Sequence, residues 1–440
     1  MEGEITANLM DNNDDFLSRR RSFWHRTFST MGPASMRGAI LIMIMTAFGT
    51  GIYTFHQLFH SVGFFFAWGM IVYFAIIFYL ATKYLTAALM QFQQSKTISE
   101  LVKNALGSYI AKIHDLLFVV YCFLVGVCMT LGINKTLYRN FADQIWKLVP
   151  VDPSKQTFAN FNFYFSYMIT FVLFFLIFQK SVDRFRYFSF VSFSINLYII
   201  AVSIFQAPSY YNKLKETHED EFNWSDFSVV SIVSTFGILL FANNSIPNFF
   251  SVVKMIDNPT TERKNRVFFR TFLALMLIFL CFGTAAYLSL GVKYAPDLDL
   301  FIYRKPVDEN SSDILMFIGR TLLTLSLAVG AGLNCYPLKI TICEVFGIEP
   351  NNKSNLIISI LITIGLAVVV SFCDNITNYV AFTGSLCVSF LSVVIPFAMA
   401  LKLKMYKSII GNVFLTSQIV LFSVLSVWGA TLSLQKIISE

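Results

Sequence analysis

Apolar runs of about 20 residues, enough to cross the hydrocarbon core of a bilayer, recur along this chain and constrain its fold more than any single motif. Eleven can be read, at roughly 38–60, 64–89, 111–133, 159–179, 186–206, 227–253, 267–290, 314–338, 355–373, 377–400 and 408–435. The longest polar interruptions, 134–158, 207–226, 254–266, 291–313 and 341–354, are too short to hold separate soluble domains. The expectation is an all-α integral membrane protein with eleven transmembrane helices, preceded by a polar tail over residues 1–36. Composition agrees, since only 13% of the residues are charged, against about 25% in soluble domains.

The formal net charge of +7 does not point to nucleic acid, because the basic residues are scattered through short loops between apolar runs. Such residues set topology, with the lysine- and arginine-rich side facing the cytosol. With the N-terminus inside, 22 of the 33 Lys and Arg fall on the cytosolic side and 10 on the other. The C-terminus then lies across the membrane. The tail balances Glu2, Glu4, Asp11, Asp14 and Asp15 against Arg19, Arg20, Arg21 and Arg26, and holds no short cleavable apolar segment. Its acidic start argues against a mitochondrial presequence. Six of the seven cysteines lie in or beside apolar runs, and no spacing suggests a zinc site or a disulfide framework.

Two of the apolar runs are interrupted. The first reads "TAFGTGIYTFHQLFHSVGF", with Gly49-Thr50-Gly51 at its middle and His56 beyond; the sixth is broken by Asn243-Asn244-Ser245 and then Pro247. If eleven spans divide as five, five and one, these two occupy corresponding places in two repeats, 37–206 and 227–400, with 408–435 left as an extra helix. Paired interruptions of this kind point to a transport site. A helix unwound at mid-depth frees N–H groups at one half-helix end and C=O groups at the other, with partial positive and negative charge. A zwitterion such as a free amino acid satisfies both. Glycines also serve close helix packing and asparagines also glue helices together, so each motif alone has an ordinary structural explanation; the pair at matched positions favours a site.

Several stretches resemble the amino acid/auxin permease family of the amino acid–polyamine–organocation superfamily. "AFGTGIYTFHQLFHSVGF" is similar to that family's first span, "TISELVKNALG" (97–107) to its amphipathic stretch before the third, and "FGILLFAN" (236–243) followed by "MIDNP" (255–259) to its sixth. "FGTAAYLSLG" (282–291), "YPLKITICE" (336–344) and "GSLCVSFLSVVIP" (384–396) resemble its seventh, eighth and tenth spans. The resemblance implies eleven spans, the inverted-repeat core of leucine transporters with helices 1 and 6 discontinuous, and alternating access for small neutral amino acids. It assigns substrate binding to Gly49, Thr50, Gly51, Phe241, Ala242, Asn243, Asn244, Ser245 and Asn334. No cofactor, metal or nucleic acid is expected; the partners are a free amino acid, the lipid bilayer and a coupling proton.

The departures bear on coupling. His56 stands where the family commonly has proline, Met45 where sodium-coupled members have asparagine, and Gly330 where they have a hydroxyl residue. A thioether and a glycine supply no oxygen ligand, so protons are favoured over sodium, although Thr46, Thr324 and Ser326 offer oxygens under a shifted alignment. His56 and Thr46 are the coupling candidates, His56 because it titrates in the physiological range. Arg320 is expected to snorkel to the outer interface, Asp374 to be solvated, Glu344 to be interfacial, and Asn334 either to line the cavity or to bridge backbone freed by Pro337. The alternative function is a transporter-fold subunit of a larger membrane complex that no longer transports. An enzyme is not expected, for want of any hydrolase or metalloprotease motif. Sequons at Asn223 and Asn310 fit a secretory-route protein, in the plasma or the vacuolar or lysosomal membrane, with the mitochondrial inner membrane left open.

Overall fold

The computed structural model describes residues 36–48, 50–145, 155–179, 185–216, 222–225, 227–256, 260–290, 313–349, 351–373 and 375–439. The polar tail, Gly49, Asp374, Asn310, most of the acidic loop after Glu216 and the end of "MIDNP" lie outside the described residues. Helices α1 (Met36–Ala47) and α2 (Phe55–Val62) flank a 3-10 stretch over Thr50–Thr54. They are followed by α3 (Phe64–Gln91), α4 (Ile98–Leu106), α5 (Ser108–Ile145), α6 (Lys155–Ile177), α7 (Phe185–Glu216) and α8 (Val229–Asn243). After a 3-10 turn over Ile246–Asn248 come α9 (Phe249–Met255), α10 (Thr261–Leu290), α11 (Ile314–Phe346), α12 (Asn352–Ser371), α13 (Ile376–Lys402) and α14 (Ile409–Ser439).

Among the described residues, nine helices are long and apolar enough to cross a membrane, or ten if α1 and the 51–62 segment, bent by 52° at their break, form one span. The expected eleven is therefore met only in part. The shortfall is α6, whose described apolar stretch, Phe161–Ile177, is shorter than the others. Both expected interruptions are present. The first falls between Ala47 and the 3-10 stretch, and the sixth at Asn244–Ser245, where α8 ends and Asn244 is extended (φ −77°, ψ 95°).

Packing separates the helices into two sets. α5, α6, α11 and α12 pack on one another, while α3, α8 and α10 gather around α1 and α2. α7 lies between α10 and α11, and α13 touches α3, α5 and α8. Elements five spans apart face one another, α3 with α10, α5 with α11 and α6 with α12, which is the contact pattern of an inverted repeat. α14 lies outside this core on α13 and α8.

Local sequence explains the ends. Thr97 caps α4 by accepting from Glu100 N, and Glu100 Oε2 accepts from Lys96 N just ahead of the cap at 2.6 Å. Asp313 caps α11, which closes at Gly347 in the left-handed region (φ 62°) that glycine tolerates. The free carbonyls ending α6 are met by a buried cation: Lys339 Nζ donates to Ile177 O, to Gln179 O at 3.0 Å and to Asn355 Oδ1 at 2.8 Å. A buried ammonium is tolerated only with such partners. Asn162 does the same at the end of α12, donating to Val370 O (2.7 Å) and Cys373 O (3.0 Å).

α8 and α13 cross backbone to backbone. A Cβ on Gly237 would lie 1.9 Å from Ala381 O, and one on Gly384 would lie 1.8 Å from Gly237 O. No side chain fits there. Two π-helical turns of α13, Gly384–Val388 and Phe390–Val394, follow this crossing.

One expectation is corrected. Arg320 does not snorkel to the interface; it is among the largest fully buried side chains, at 1% exposure. Depth along a helix can be counted from the sequence, but the face that a residue presents cannot, and Arg320 lies on the face that packs inward. Glu344 is exposed, in keeping with an interfacial position.

Candidate functional site

The two breaks touch. A Cβ on Gly51 would lie 2.9 Å from Phe241 Cδ1, 3.2 Å from Ala242 N and 3.3 Å from Ala242 Cα, so the absence of a side chain lets the 3-10 stretch sit against the last turn of α8. Thr54 Oγ1 donates to Gly51 O at 2.9 Å and fixes the local turn. On the other side of the breaks, Asn248 Nδ2 donates to Thr46 Oγ1 at 2.7 Å, and Thr46 Oγ1 donates to Ile42 O at 2.8 Å. Thr46 therefore stitches α1 to the turn that follows α8.

The polar groups at the sixth-span break are sealed from solvent and only partly satisfied. Asn243 and Ser245 are 0% exposed and Asn244 is 1%. Asn243 Oδ1, Asn244 Nδ2 and Ser245 Oγ make no well-formed hydrogen bond among the described residues. His56, one turn beyond the first break, is also buried, and neither ring nitrogen makes a well-formed hydrogen bond. The Tyr53 carbonyl is near enough to interact with its ring without hydrogen-bond geometry. Buried polar atoms are paired in the great majority of cases, and here several without a well-formed bond lie together beside the two helix breaks. The groups gathered there are amides, a hydroxyl and an imidazole, together with the free backbone ends.

Of the expected site residues, the structure brings together Gly51, Phe241 and Ala242 directly, with Asn243, Asn244 and Ser245 following on the same chain. The Thr50 side chain and all of Gly49 lie outside the described residues. Asn334 stays on α11: its Nδ2 donates to Gly330 O at 2.9 Å and lies 3.9 Å from Met129 Sδ. That is a back-bond to the preceding turn of its own helix; the carbonyl left without a helical donor by Pro337 is that of Leu333. Gly330 packs against Met129, whose Sδ would be 2.9 Å from a Cβ there. Thr324 Oγ1 is bonded to Arg320 O at 3.1 Å.

Several polar residues at or near the breaks have no local sequence signal. Tyr53 OH donates to Asn196 Oδ1 on α7, while Asn196 Nδ2 donates to Ser192 O at 2.7 Å and to Ser326 Oγ on α11 at 2.9 Å. Ser192 and Ser326 share a further hydroxyl bond. This network ties the 3-10 stretch of the first span to α7 and α11. Ser392 on α13 donates to Asn244 Oδ1 at 2.8 Å, and the Tyr121 hydroxyl on α5 stands beside the same amide.

Comparison with known proteins decides the family. Residues 32–439 match the family described as transmembrane amino acid transporter protein. The chain belongs to this family. It is a family of transporters, not of enzymes, and among the described residues no group of three or more His, Cys, Asp or Glu is placed to hold a metal ion. Relatives of this family member include "Putative amino acid transporter AAT1" of Plasmodium falciparum, 22% identical over 72% of the chain and 48% of that protein. The chain thus spans about half the length of that relative. "Vacuolar amino acid transporter 5" of Schizosaccharomyces pombe is 21% identical over 82% of the chain and 83% of its own length. Among solved structures, MhsT in complex with L-phenylalanine covers 92% of this family member and 100% of its own chain at a TM-score of 0.58 and 12% identity. The manganese transporter of Eremococcus coleocola covers 94% and 88% at 0.53 and 12%. At these identities the likeness is one of fold.

Proposed function

We propose that the protein is a secondary active transporter of small neutral amino acids, working by alternating access around the two broken helices and driven by protons rather than sodium. The observation that carries this reading is the contact of the two breaks at Gly51 and Phe241–Ala242, next to buried polar groups with unspent hydrogen-bonding capacity. Backbone amides of Gly49, Thr50 and Gly51 would meet the substrate carboxylate, and carbonyls around Phe241 to Asn244 its ammonium, with Asn243 and Ser245 shaping the pocket. The polar side chains at the breaks carry no fixed charge, which favours a substrate without net charge. The two relatives bear names of amino acid transporters, in support of the same class.

In this reading α6 completes eleven spans, residues 37–206 and 227–400 form the two repeats, and 408–435 is the added helix. The lysine and arginine bias places the N-terminus in the cytosol. Proton drive is supported by Met45 and Gly330 at positions where the resemblance implies oxygen-bearing residues in sodium-coupled members, and by a buried imidazole, His56, whose nitrogens make no well-formed hydrogen bond. Asn334 belongs to the pocket only if its bond to Gly330 O is exchanged for one to substrate.

The test is uptake of labelled L-alanine, L-serine and L-leucine into proteoliposomes. Accumulation driven by a pH gradient and indifferent to sodium is the expected result. Uptake that needs sodium overturns the coupling. No uptake, combined with no thermal shift by any of the three, overturns transport itself.

A further inference from the structure

Neighbouring asparagines at the α8 break are held with opposite ends committed. Asn243 Nδ2 donates to Leu239 O at 3.0 Å, which leaves Oδ1 as its buried, unpaired atom. Asn244 is the reverse: Oδ1 accepts from Ser392 Oγ at 2.8 Å, and Nδ2, with the Tyr121 hydroxyl beside it, makes no well-formed hydrogen bond. The carbonyl beside Asn243 fixes its orientation, because an amide oxygen turned toward it would set two acceptors together. Asn243 thus offers an acceptor and Asn244 a donor. The chain leaves the helix between them, Asn243 ending α8 and Asn244 extended (φ −77°, ψ 95°), so the two side chains flank one break. An acceptor suits an ammonium group and an amide N–H suits a carboxylate, each bond strengthened by the charge of the ligand.

We propose that these two side chains read the two ends of a zwitterionic α-amino acid, Asn243 Oδ1 accepting from its ammonium and Asn244 Nδ2 donating to its carboxylate, with Ser392 as the positioning residue that keeps Asn244 donor-outward. The proposal rests on the transporter reading above and sharpens it. Ser392 is well held for this task. It is 1% exposed and lies on the π-helical turn Phe390–Val394, a local widening frequently found at functional sites. The neighbouring turns of α13 are fastened from behind by α14, through Ser389 Oγ to Phe422 O at 3.1 Å and Ser426 Oγ to Ser385 O.

The test uses the full chain in lipid nanodiscs, with labelled L-alanine, L-serine and L-leucine as probes and their methyl esters and N-acetyl derivatives as competitors. Wild-type protein is expected to prefer the free acid over the ester, and the free amine over the N-acetyl compound, by at least tenfold. Asn244→Ala is expected to bring the acid-to-ester ratio below threefold while keeping the amine preference; Asn243→Ala does the converse. Ser392→Ala follows Asn244→Ala, and Ser392→Thr keeps the wild-type ratios. Where an alanine variant of either asparagine does not fold, leucine at that position, close to asparagine in size and without a donor or acceptor, gives the same readout. Equal weakening of every compound by both asparagine variants overturns the proposal and leaves the transporter reading standing, as does a Ser392→Ala protein with unchanged ratios. Wild-type protein that binds none of the three amino acids overturns both.

Discussion

An alanine at Gly51 puts a methyl group where the two interrupted helices meet. Its Cβ would stand 2.9 Å from the Phe241 ring and 3.3 Å from Ala242 Cα. Carbon atoms rest comfortably at about 3.5–4.0 Å, so the ring must retreat by roughly 0.6 Å and the α8 backbone by roughly 0.2 Å. Phe241 is 5% exposed and has little room to yield. Overpacking of this kind costs about 1–3 kcal/mol, and replacing glycine returns at most about 1 kcal/mol through the unfolded chain. A net penalty of about 1–2 kcal/mol would fall on the conformation in which the breaks touch. Because about 1.4 kcal/mol is tenfold in an equilibrium, Gly51→Ala should slow uptake by roughly 5- to 30-fold if that conformation lies on the transport cycle. The assay is the initial rate of L-leucine uptake by proteoliposomes, with a melting curve on the same preparation. A variant with wild-type uptake, or one that melts earlier yet transports normally, would refute the reasoning.

Other outcomes follow from packing alone. Gly384→Ala should prevent the α8–α13 crossing, since the new atom would lie 1.8 Å from Gly237 O; loss of monodisperse protein on size-exclusion chromatography is the expected readout. Lys339→Met removes the three bonds donated to Ile177 O, Gln179 O and Asn355 Oδ1; a cost of about 1–3 kcal/mol should appear as earlier thermal unfolding with unchanged substrate preference. Asn223 is expected to carry no glycan despite its sequon, because its Nδ2, the atom a sugar would use, donates to His60 O at 3.0 Å and its backbone pairs with Tyr287 OH. Mass spectrometry of the peptide carrying Asn223, from protein made in a secretory-route host, should then show that asparagine unmodified.

The interruptions were legible in the sequence because glycine, asparagine and proline stand out in an apolar run. A break in lipid also strands backbone groups, so it is tolerated only where protein or a cavity meets them. The partners of those breaks were not legible. Ser392 reads like any serine in a membrane helix, most of which only bond their own preceding turn, as Ser194 does with Phe190 O at 3.1 Å. Nothing local distinguishes it from a serine that crosses to another helix. Tyr53 and Asn196 are 143 positions apart, and only the fold joins them. Asn334 shows the opposite difficulty. Its place before Pro337 was visible, but whether it bridges backbone or faces a cavity depends on a rotamer, and here it bonds Gly330 O. The count of spans is met up to ten; at α6 phenylalanine-rich sequence reads as a full span, while the described apolar stretch is shorter.

The most direct measurement is a cryo-EM structure of the protein in nanodiscs saturated with a transported amino acid. Density for the ligand is expected between the Thr50–Gly51 backbone and Asn243–Asn244, with its carboxylate within hydrogen-bonding distance of Asn244 Nδ2. Ligand density elsewhere, with the contact of Gly51 on Phe241 and Ala242 unchanged, would contradict the assignment of the two breaks as the transport site.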